Sequence, residues 1–390
     1  MIIMKIFVSH ALHRMMVATM ALSTLMFTAC NTSDEDTKTG TSIAEVTVTL
    51  NVEDAVGFGK SRALTDENEN KIGNIHILAF NWYTGEMISN GYTTVDNKSS
   101  MTCKLAIPYN QDMYVALYAI ANIGNKTLFD DYATNFEEPF TKDIFEGLYV
   151  KTADADKMTA GTYSLCKADG TVLAQVEDET HALLVSPKVS TFHARLNTNA
   201  INVTLQLSRQ TPKFILNLYG NDINLLSYQF CNIPTTDNII ANETNMTGVE
   251  YANTIEHQFA ANTISAENVT YYGLKSYKAS KPAITTQRGR TDGNAPENSA
   301  YLDIKGSPVS NSDLVYRYRV YLGGVNAQGV ATPSEFSIFR NHDYYLNITV
   351  SDYLMNDYRT GHYNNMNATL ELTPWSAEQR DVDSDSHTIL

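Results

Sequence analysis

Apolar and polar residues alternate with a period of two along most of the chain beyond residue 43. The clearest case is 44–53, where Val46, Val48, Leu50 and Val52 are separated by polar residues. Successive side chains of a strand point to opposite faces, so this segment is predicted to be a strand with one buried face. The same alternation recurs in four further segments: 101–107, 201–207, 314–322 and 346–350.

Two segments, 75–80 and 113–123, are apolar throughout and are predicted to be strands buried on both faces. Asp169-Gly170 separates two apolar runs and predicts a hairpin, because glycine accepts the positive φ of a tight turn. The sequence SNGY at 89–92 predicts another turn. Since no long stretch has helical periodicity, the pattern favours an all-β protein built of β-sandwiches.

The length of 390 residues exceeds what one hydrophobic core usually covers, so two domains are expected. We place the N-terminal sandwich at 44–207 and the C-terminal sandwich at 208–390. Residues 280–300 have no apolar pattern and are predicted to form an exposed loop in the second domain.

The N-terminus has the organisation of a secretory signal. Lys5 and Arg14 precede a short apolar run that ends at Cys30. The sequence FTAC resembles a lipobox, so 1–29 is interpreted as a lipoprotein signal peptide and Cys30 as the lipidated residue. The alternative is an ordinary signal with a chance cysteine. Residues 30–43 are polar and acidic, either as a surface-export signal or as a solvated linker.

Charge and composition argue against several functional classes. Removing 1–29 takes away two basic side chains and no acidic one, so the formal charge changes from −15 to −17. Such an acidic chain repels nucleic acid. Three isolated cysteines, Cys103, Cys166 and Cys231, have no metal-ligand spacing, and at most two of them could pair. No catalytic motif, cofactor site or metal site is predicted, and we expect a non-enzymatic protein.

The sequence DAVGFGKSRALTD at 54–66 has two competing interpretations. Its GKS ends like a phosphate-binding loop, but Asp54 occupies the position where that loop needs its first glycine, and its carboxylate would repel phosphate. The second interpretation is a protease site at Arg62-Ala63, since the surrounding residues are polar or glycine.

Two blocks carry a resemblance to a known family. One is SRALTDENENKIGNIHILAFNWYTGE at 61–86, and the other is the tyrosine-rich 316–361 with its Leu-Gly-Gly and Arg-Asn pairs. They resemble the FimA-type fimbrillins, the major subunits of type V pili. The resemblance implies two tandem antiparallel β-sandwich, transthyretin-like domains in a surface fimbrium of the outer membrane that supports adhesion.

The resemblance also implies a mechanism of assembly. An arginine-specific surface protease cuts after Arg62, Ala63 becomes the N-terminus, and 44–62 is lost as a propeptide strand. The groove vacated by Val46, Val48, Leu50 and Val52 then accepts a C-terminal strand of the next subunit. That donor is placed at 366–383, with the following apolar residues: Ala368, Leu370, Leu372 and Trp375. The implied partners are other pilin subunits, the lipoprotein export machinery and a host or bacterial surface ligand.

Alternatives remain open at this point. In one, 44–53 is the permanent first strand of its sandwich, as in a basal anchor. In another, the chain is a pilus tip or accessory adhesin. A third is a non-pilus surface lipoprotein that binds glycan or protein through its 23 tyrosines. For the C-terminus, the alternative to donation is that 367–373 is a core strand of its own domain.

Overall fold

The computed structural model describes residues 42–53, 56–57, 71–109, 113–129, 139–152, 161–178, 181–186, 189–194, 201–240, 248–351 and 368–371. Within them the chain is almost entirely β, as predicted. The one α-helix of this part of the chain is α1 at Lys142–Glu146, which is capped by the Thr141 side chain and ends at Gly147. A single 3₁₀ turn follows later at Gln287–Gly289.

In the described part of the chain, twelve strands precede residue 210. They are β1 Ser42–Val52, β2 Val56–Gly57, β3 Ile72–Asn81, β4 Met87–Lys98, β5 Ser100–Tyr109, β6 Met113–Ala121, β7 Tyr149–Lys151, β8 Gly161–Cys166, β9 Val172–Asp178, β10 Leu184–Val185, β11 Ser190–Ala194 and β12 Ile201–Arg209.

Eleven strands follow residue 210 among the residues that the structure describes. They are β13 Lys213–Asn221, β14 Ile223–Cys231, β15 Ile233–Pro234, β16 Thr236–Asn238, β17 Tyr251–Ala252, β18 His257–Thr263, β19 Ser265–Tyr272, β20 Tyr301–Pro308, β21 Tyr316–Tyr321, β22 His342–Ser351 and β23 Ala368–Glu371.

Most of the first group forms one sheet in the order β4-β3-β6-β10-β12-β1-β5, with β11 also paired to β6. The strands predicted to be buried on both faces, β3 and β6, pair antiparallel in its middle. Their apolar side chains belong to the same core cluster as those of β1, β5 and β12. A second sheet, β16-β7-β8-β9, contains the hairpin predicted at Asp169-Gly170, where Gly170 has φ +92°.

The turn predicted at 89–92 is wrong, because β4 runs through it in register with β3. Gly91 lies opposite Ile77 in the ladder, and a Cβ placed on it would lie 3.2 Å from Cδ1 of Leu105. The glycine therefore makes room for a neighbouring side chain and does not mark a turn.

Most of the second group forms two sheets, β19-β13-β22 and β18-β14-β20-β21, whose apolar side chains share one core cluster, while β15 and β17 pair with each other. The strands change from one set of sheets to the other between Arg209 and Lys213. The domain boundary of 207/208 stays a prediction. β1 begins at Ser42, earlier than the predicted start at residue 44.

The two groups repeat one pattern of strand pairing. β1, the first strand, lies between β5, to which it is antiparallel, and β12, to which it is parallel. β13, the first strand of the second group, lies between the antiparallel β19 and the parallel β22. The other ladders are antiparallel, apart from the two-residue pairing of β2 with β22.

A buried polar network joins the two groups. Asp237, on β16, accepts hydrogen bonds from Gln210 and Arg340 at 2.9 and 2.8 Å and pairs with the Lys275 ammonium at 3.2 Å. The same strand β16 pairs with β7, which precedes residue 210. Charges and backbone therefore both connect the N-terminal and C-terminal sheets.

Candidate functional site

β1 occupies the interior of the N-terminal sheet with its apolar face fully covered. Val46, Val48 and Leu50 have no exposed surface, and Val52 is half-buried against the same core. In the ladder Val48 lies opposite Cys103 of β5 and Val203 of β12. The four positions predicted to form the apolar face of this strand do face the core.

The polar face of β1 is only half-covered, since Thr47, Thr49 and Asn51 have intermediate exposure. The ladder is nonetheless complete on both edges. β12 pairs with Val46 through Val52, and β5 pairs with Ser42 through Asn51. Just beyond the strand, the Glu53 amide donates to the Leu207 carbonyl at 2.7 Å. Removing β1 would leave two facing unpaired edges and an apolar trough between them.

The chain after β1 continues to the C-terminal sheets. β2, at Val56–Gly57, pairs in parallel with His342 and Asp343 of β22. One stretch of chain, 42–57, therefore completes ladders on both sides of the junction at 209–213. The predicted cleavage residues Arg62 and Ala63, and the predicted lipidation site Cys30, lie outside the described residues.

The candidate donor segment is described only at Ala368–Glu371, as β23. It pairs antiparallel with Asn347–Val350 of β22, on the opposite side from β13. The ladder thus places Ala368 and Leu370 beside β22 of their own chain, which is the pairing expected of an intrachain strand. Leu372, Trp375 and the rest of 366–383 lie outside the described residues.

The loop predicted at 280–300 is more structured than expected, and the prediction of uniform exposure is wrong. Arg288 is exposed, but the guanidinium of Arg290 is buried and donates to the carbonyls of Leu322 and Glu335 at 2.7 and 3.1 Å. It also stacks on the ring of Phe336, 4.2 Å from its centroid. An arginine buried in this way is shielded from a protease.

The thiols are inert in their environment. Cys103, Cys166 and Cys231 are free and buried. Burial raises the pKa of Cys103 to about 12 and that of Cys231 to about 11, so neither forms the reactive thiolate near neutral pH. Among the described residues, no group of His, Cys, Asp and Glu is arranged to hold a metal ion.

Two clefts in the described part of the chain are open. The one next to Gly124 and Gln175 is bordered by β9 of the β8–β9 hairpin. No titratable side chains converge in it, so it offers no chemistry beyond that of an ordinary surface. None of the helices described here has the length and apolar character needed to cross a membrane.

Comparison with known proteins gives the fold a context. Residues 267–348 match the model of a domain of unknown function, DUF4906. No curated protein matches the chain by sequence. A crystal structure of a candidate cell adhesion protein from Parabacteroides distasonis ATCC 8503 aligns over 87% of this chain and 99% of its own, with 12% identity and a TM-score of 0.55. The chain has the fold of that adhesion protein.

Two fimbrial proteins of Porphyromonas gingivalis are also similar in structure. The tip fimbrial protein Mfa3, truncated at its C-terminus, aligns over 85% of this chain and 100% of its own, with 13% identity and a TM-score of 0.49. The fimbrilin FimA of strain W83 aligns over 85% and 97%, with 13% identity and a TM-score of 0.46. The all-β fold is confirmed by the similarity to the cell adhesion protein, and the predicted structural resemblance to fimbrial proteins is found at low sequence identity.

These structures are described as those of adhesion and fimbrial proteins. Among the described residues, the distinctive feature of the fold is the complete double pairing of the first strand, β1.

Proposed function

We propose that this chain is a structural subunit of a surface fimbrium, made as a lipoprotein precursor and polymerised by exchange of a strand. The observation that carries the proposal is the position of β1. It is an interior strand of its sheet, yet it is the first strand of the described part of the chain, and the strands that pair with it all follow it in the sequence.

The equivalent strand of the second group shows why this matters. β13 has the same neighbours in its own sheets, but it is covalently continuous with β12 before it and β14 after it. One cut cannot release β13. One cut after Arg62, in contrast, releases β1 and β2 together, because both precede it and are held only by noncovalent contacts.

Release of β1 exposes an apolar groove that favours the binding of another strand. Burial of an aliphatic side chain contributes roughly 1.5–3 kcal/mol, so refilling the positions of Val46, Val48 and Leu50 is worth several kcal/mol. The vacated ladders with β5 and β12 fix the register and direction of the incoming strand, as in β-strand addition.

The donor we propose is 366–383 of a neighbouring subunit. Ala368, Leu370 and Leu372 repeat the spacing of Val46, Val48 and Leu50, and Trp375 follows Pro374. In the structure the described part of this segment is held by β22 through four paired residues at Asn347–Val350. The ladders of β1, at 42–52, are longer, so a move from β22 to the vacated groove gains backbone pairing.

The same pairing of β23 with its own domain supports a second candidate. A subunit that retains this strand cannot donate it, which is the behaviour of a tip or accessory adhesin. A subunit that also keeps its lipid on Cys30 would be a basal anchor in the outer membrane. The N-terminal residue of the protein on intact cells separates these roles. An N-terminal Ala63 identifies a subunit that has been cleaved and can receive a strand, whereas a lipidated Cys30 identifies an anchor.

The decisive experiment compares Arg62→Ala with the matched control Lys60→Ala. Purified precursor is treated with an arginine-specific protease, and oligomers are detected on gels run without heating in detergent. Parent and Lys60→Ala should begin at Ala63 and form a ladder, whereas Arg62→Ala should stay uncut and monomeric. Normal polymerisation of Arg62→Ala would contradict the model.

A further inference from the structure

The strand register defines two opposite ends of the molecule. β12 ends at Arg209, next to the junction, and there it pairs with Leu184, which pairs with Ala121 at the end of β6. Because β3 is antiparallel to β6, Asn81 and Tyr114 lie at the other end of these strands, away from the junction. The first residues of β1 lie at this same end, opposite the start of β12.

This end carries three exposed aromatic side chains and one half-buried histidine, which we call the aromatic pole: Trp82, Tyr83, Tyr114 and His193. The exposed fractions of the first three are 40, 75 and 43%. The ring of Tyr114 lies edge-on to Tyr83, with centroids 5.8 Å apart, and is stacked on His193 at 4.4 Å. The rings of Tyr83, Tyr114 and His193 thus form one continuous surface.

The opposite end lies beyond the far ends of β13, β14, β20 and β22. It carries four aliphatic side chains, the aliphatic pole: Ile264, Val309, Leu314 and Val315. They are 57, 59, 37 and 55% exposed. The loops that hold them are fixed to the β13–β14 turn, since Gly220 donates to the Ile264 carbonyl at 2.7 Å and Val309 donates to the Asp222 carbonyl at 2.9 Å.

Exposed apolar side chains are concentrated at these two poles. Of the ten large apolar residues that are exposed in the described part of the chain, seven belong to one pole or the other. Leu314 is one of these exposed residues. The alternation in 314–322 predicts that its side chain points inward, but β21 begins only at Tyr316 and Leu314 is exposed. Clustered exposed apolar groups mark interaction sites.

We propose that the aliphatic pole of one copy packs against the aromatic pole of the next copy in the fibre. This inference rests on the proposed function and adds the body contact to the exchanged strand. The two poles are different surfaces at opposite ends, so their contact is heterologous and repeats head to tail, which produces a filament and not a closed dimer.

The path of the donated strand brings these two poles together. β22 ends at Ser351 at the aliphatic pole, where the Ser351 carbonyl accepts a hydrogen bond from Tyr318 at 3.2 Å. The groove left by β1 opens at the aromatic pole, where residue 42 pairs with Tyr109. The connection 352–365 reaches at most about 50 Å when extended. A strand donated from the aliphatic pole of one subunit therefore keeps the aromatic pole of the next subunit nearby.

The tether explains why a small apolar contact is sufficient. Linking two surfaces makes the second contact intramolecular, with an effective concentration in the millimolar range for a short connection. Free monomers at lower concentration would not associate through the poles alone. The contact therefore sets the angle between successive subunits once the strand has been exchanged.

The test introduces one cysteine at each pole of the same chain, as Tyr83→Cys with Val315→Cys. The three native thiols of the described residues are buried and do not compete, and Cys30 leaves with the segment that the cut removes. The matched control joins Tyr83→Cys with Ile255→Cys, because Ile255 is 58% exposed but follows β17 and lies outside both poles. Each precursor is cut, allowed to assemble, oxidised mildly, and run on a denaturing gel after heating without reductant.

The expected result is a covalent ladder for Tyr83→Cys with Val315→Cys that collapses to monomer on reduction, and no ladder for the control pair. Oligomers that resist cold detergent but give no covalent ladder would overturn the contact between the aliphatic and aromatic poles, while leaving strand exchange intact. A ladder of equal strength in the control would overturn it as well. If the parent forms no oligomer of any kind, the proposed function fails and this inference fails with it.

Discussion

Lys275 is the residue whose environment has the clearest consequence for pH dependence. Its ammonium is buried, 3.2 Å from the Asp237 carboxylate and 5.2 Å from the ring centroid of Tyr277. Burial lowers the pKa of Lys275 to about 8, and the attraction of Asp237 only partly opposes this effect. The folded chain thus loses this proton at a lower pH than the unfolded chain does.

We predict that Lys275 makes the free energy of unfolding rise with pH. Between about pH 8 and the usual lysine pKa of about 10.4, the unfolded chain binds one more proton than the folded chain, so stability increases through that window, by ~3 kcal/mol at most. Urea unfolding at several pH values in this range, for the parent and for Lys275→Met, measures the effect.

The difference between parent and variant is the informative quantity. Buried Cys103, with its pKa raised to about 12, keeps its proton in the folded state and so lowers stability above about pH 9. This opposite trend is the same in both proteins and cancels. An unchanged slope in Lys275→Met would show that another group is responsible.

At the scale of the element, β1 should be essential to the precursor and irrelevant to the cut chain. Leu50 is fully buried, so Leu50→Ala should lower the free energy of unfolding of the precursor by about 2–5 kcal/mol. In the chain that begins at Ala63 the residue is absent, and the same substitution changes nothing. Denaturant unfolding before and after the cut measures both values.

Thr49→Ala is the control for this prediction, because Thr49 lies on the half-covered face of the same strand. Its effect on the precursor should be much smaller than that of Leu50→Ala. If the Leu50→Ala chain remains as destabilised after cleavage as before it, β1 does not leave the sheet.

The strands were predictable from the sequence wherever side-chain alternation alone decides the structure. The period of two in 44–53 correctly assigns Val46, Val48 and Leu50 to a buried face, and the apolar runs of β3 and β6 identify strands buried on both faces. The order of strands could not be predicted, because the parallel pairing of β1 with β12 joins residues distant in sequence.

The incorrect predictions also arise from contacts between residues that are distant in sequence. Gly91 was predicted to lie in a turn, but the packing of Leu105 against it decides its role. Arg290 sits in a polar, glycine-containing sequence, and only the folded loop brings the carbonyls of Leu322 and Glu335 to it. Polar sequence predicts exposure, yet a polar side chain can be buried when distant backbone groups satisfy it.

At the scale of the whole molecule, Asp237 couples the two domains. The Asp237 carboxylate accepts hydrogen bonds from Gln210 and Arg340 and forms an ion pair with Lys275. Its strand, β16, pairs with β7. We predict that Asp237→Asn leaves two buried cations without their counterion and destabilises the chain by about 3–5 kcal/mol.

The substitution should also separate the unfolding of the two domains. The parent is expected to unfold in one transition, and Asp237→Asn in two, as followed by calorimetry. Asp303→Asn is a suitable control, because Asp303 pairs with Arg317 within one sheet and not across the junction. A single transition in Asp237→Asn would show that the paired backbone of β16 and β7 is sufficient for coupling.

The parallel pairing of β1 with β12 also determines when the N-terminal domain can close. Val46 leaves the ribosome long before its partner Ile201, and at about 5–20 residues per second the delay is on the order of ten seconds or more. Contacts between residues so far apart form slowly, because a long loop must close before they are gained. The N-terminal sheet of a newly made chain is therefore expected to stay open until β12 has been made, because β1 cannot complete its ladder before then.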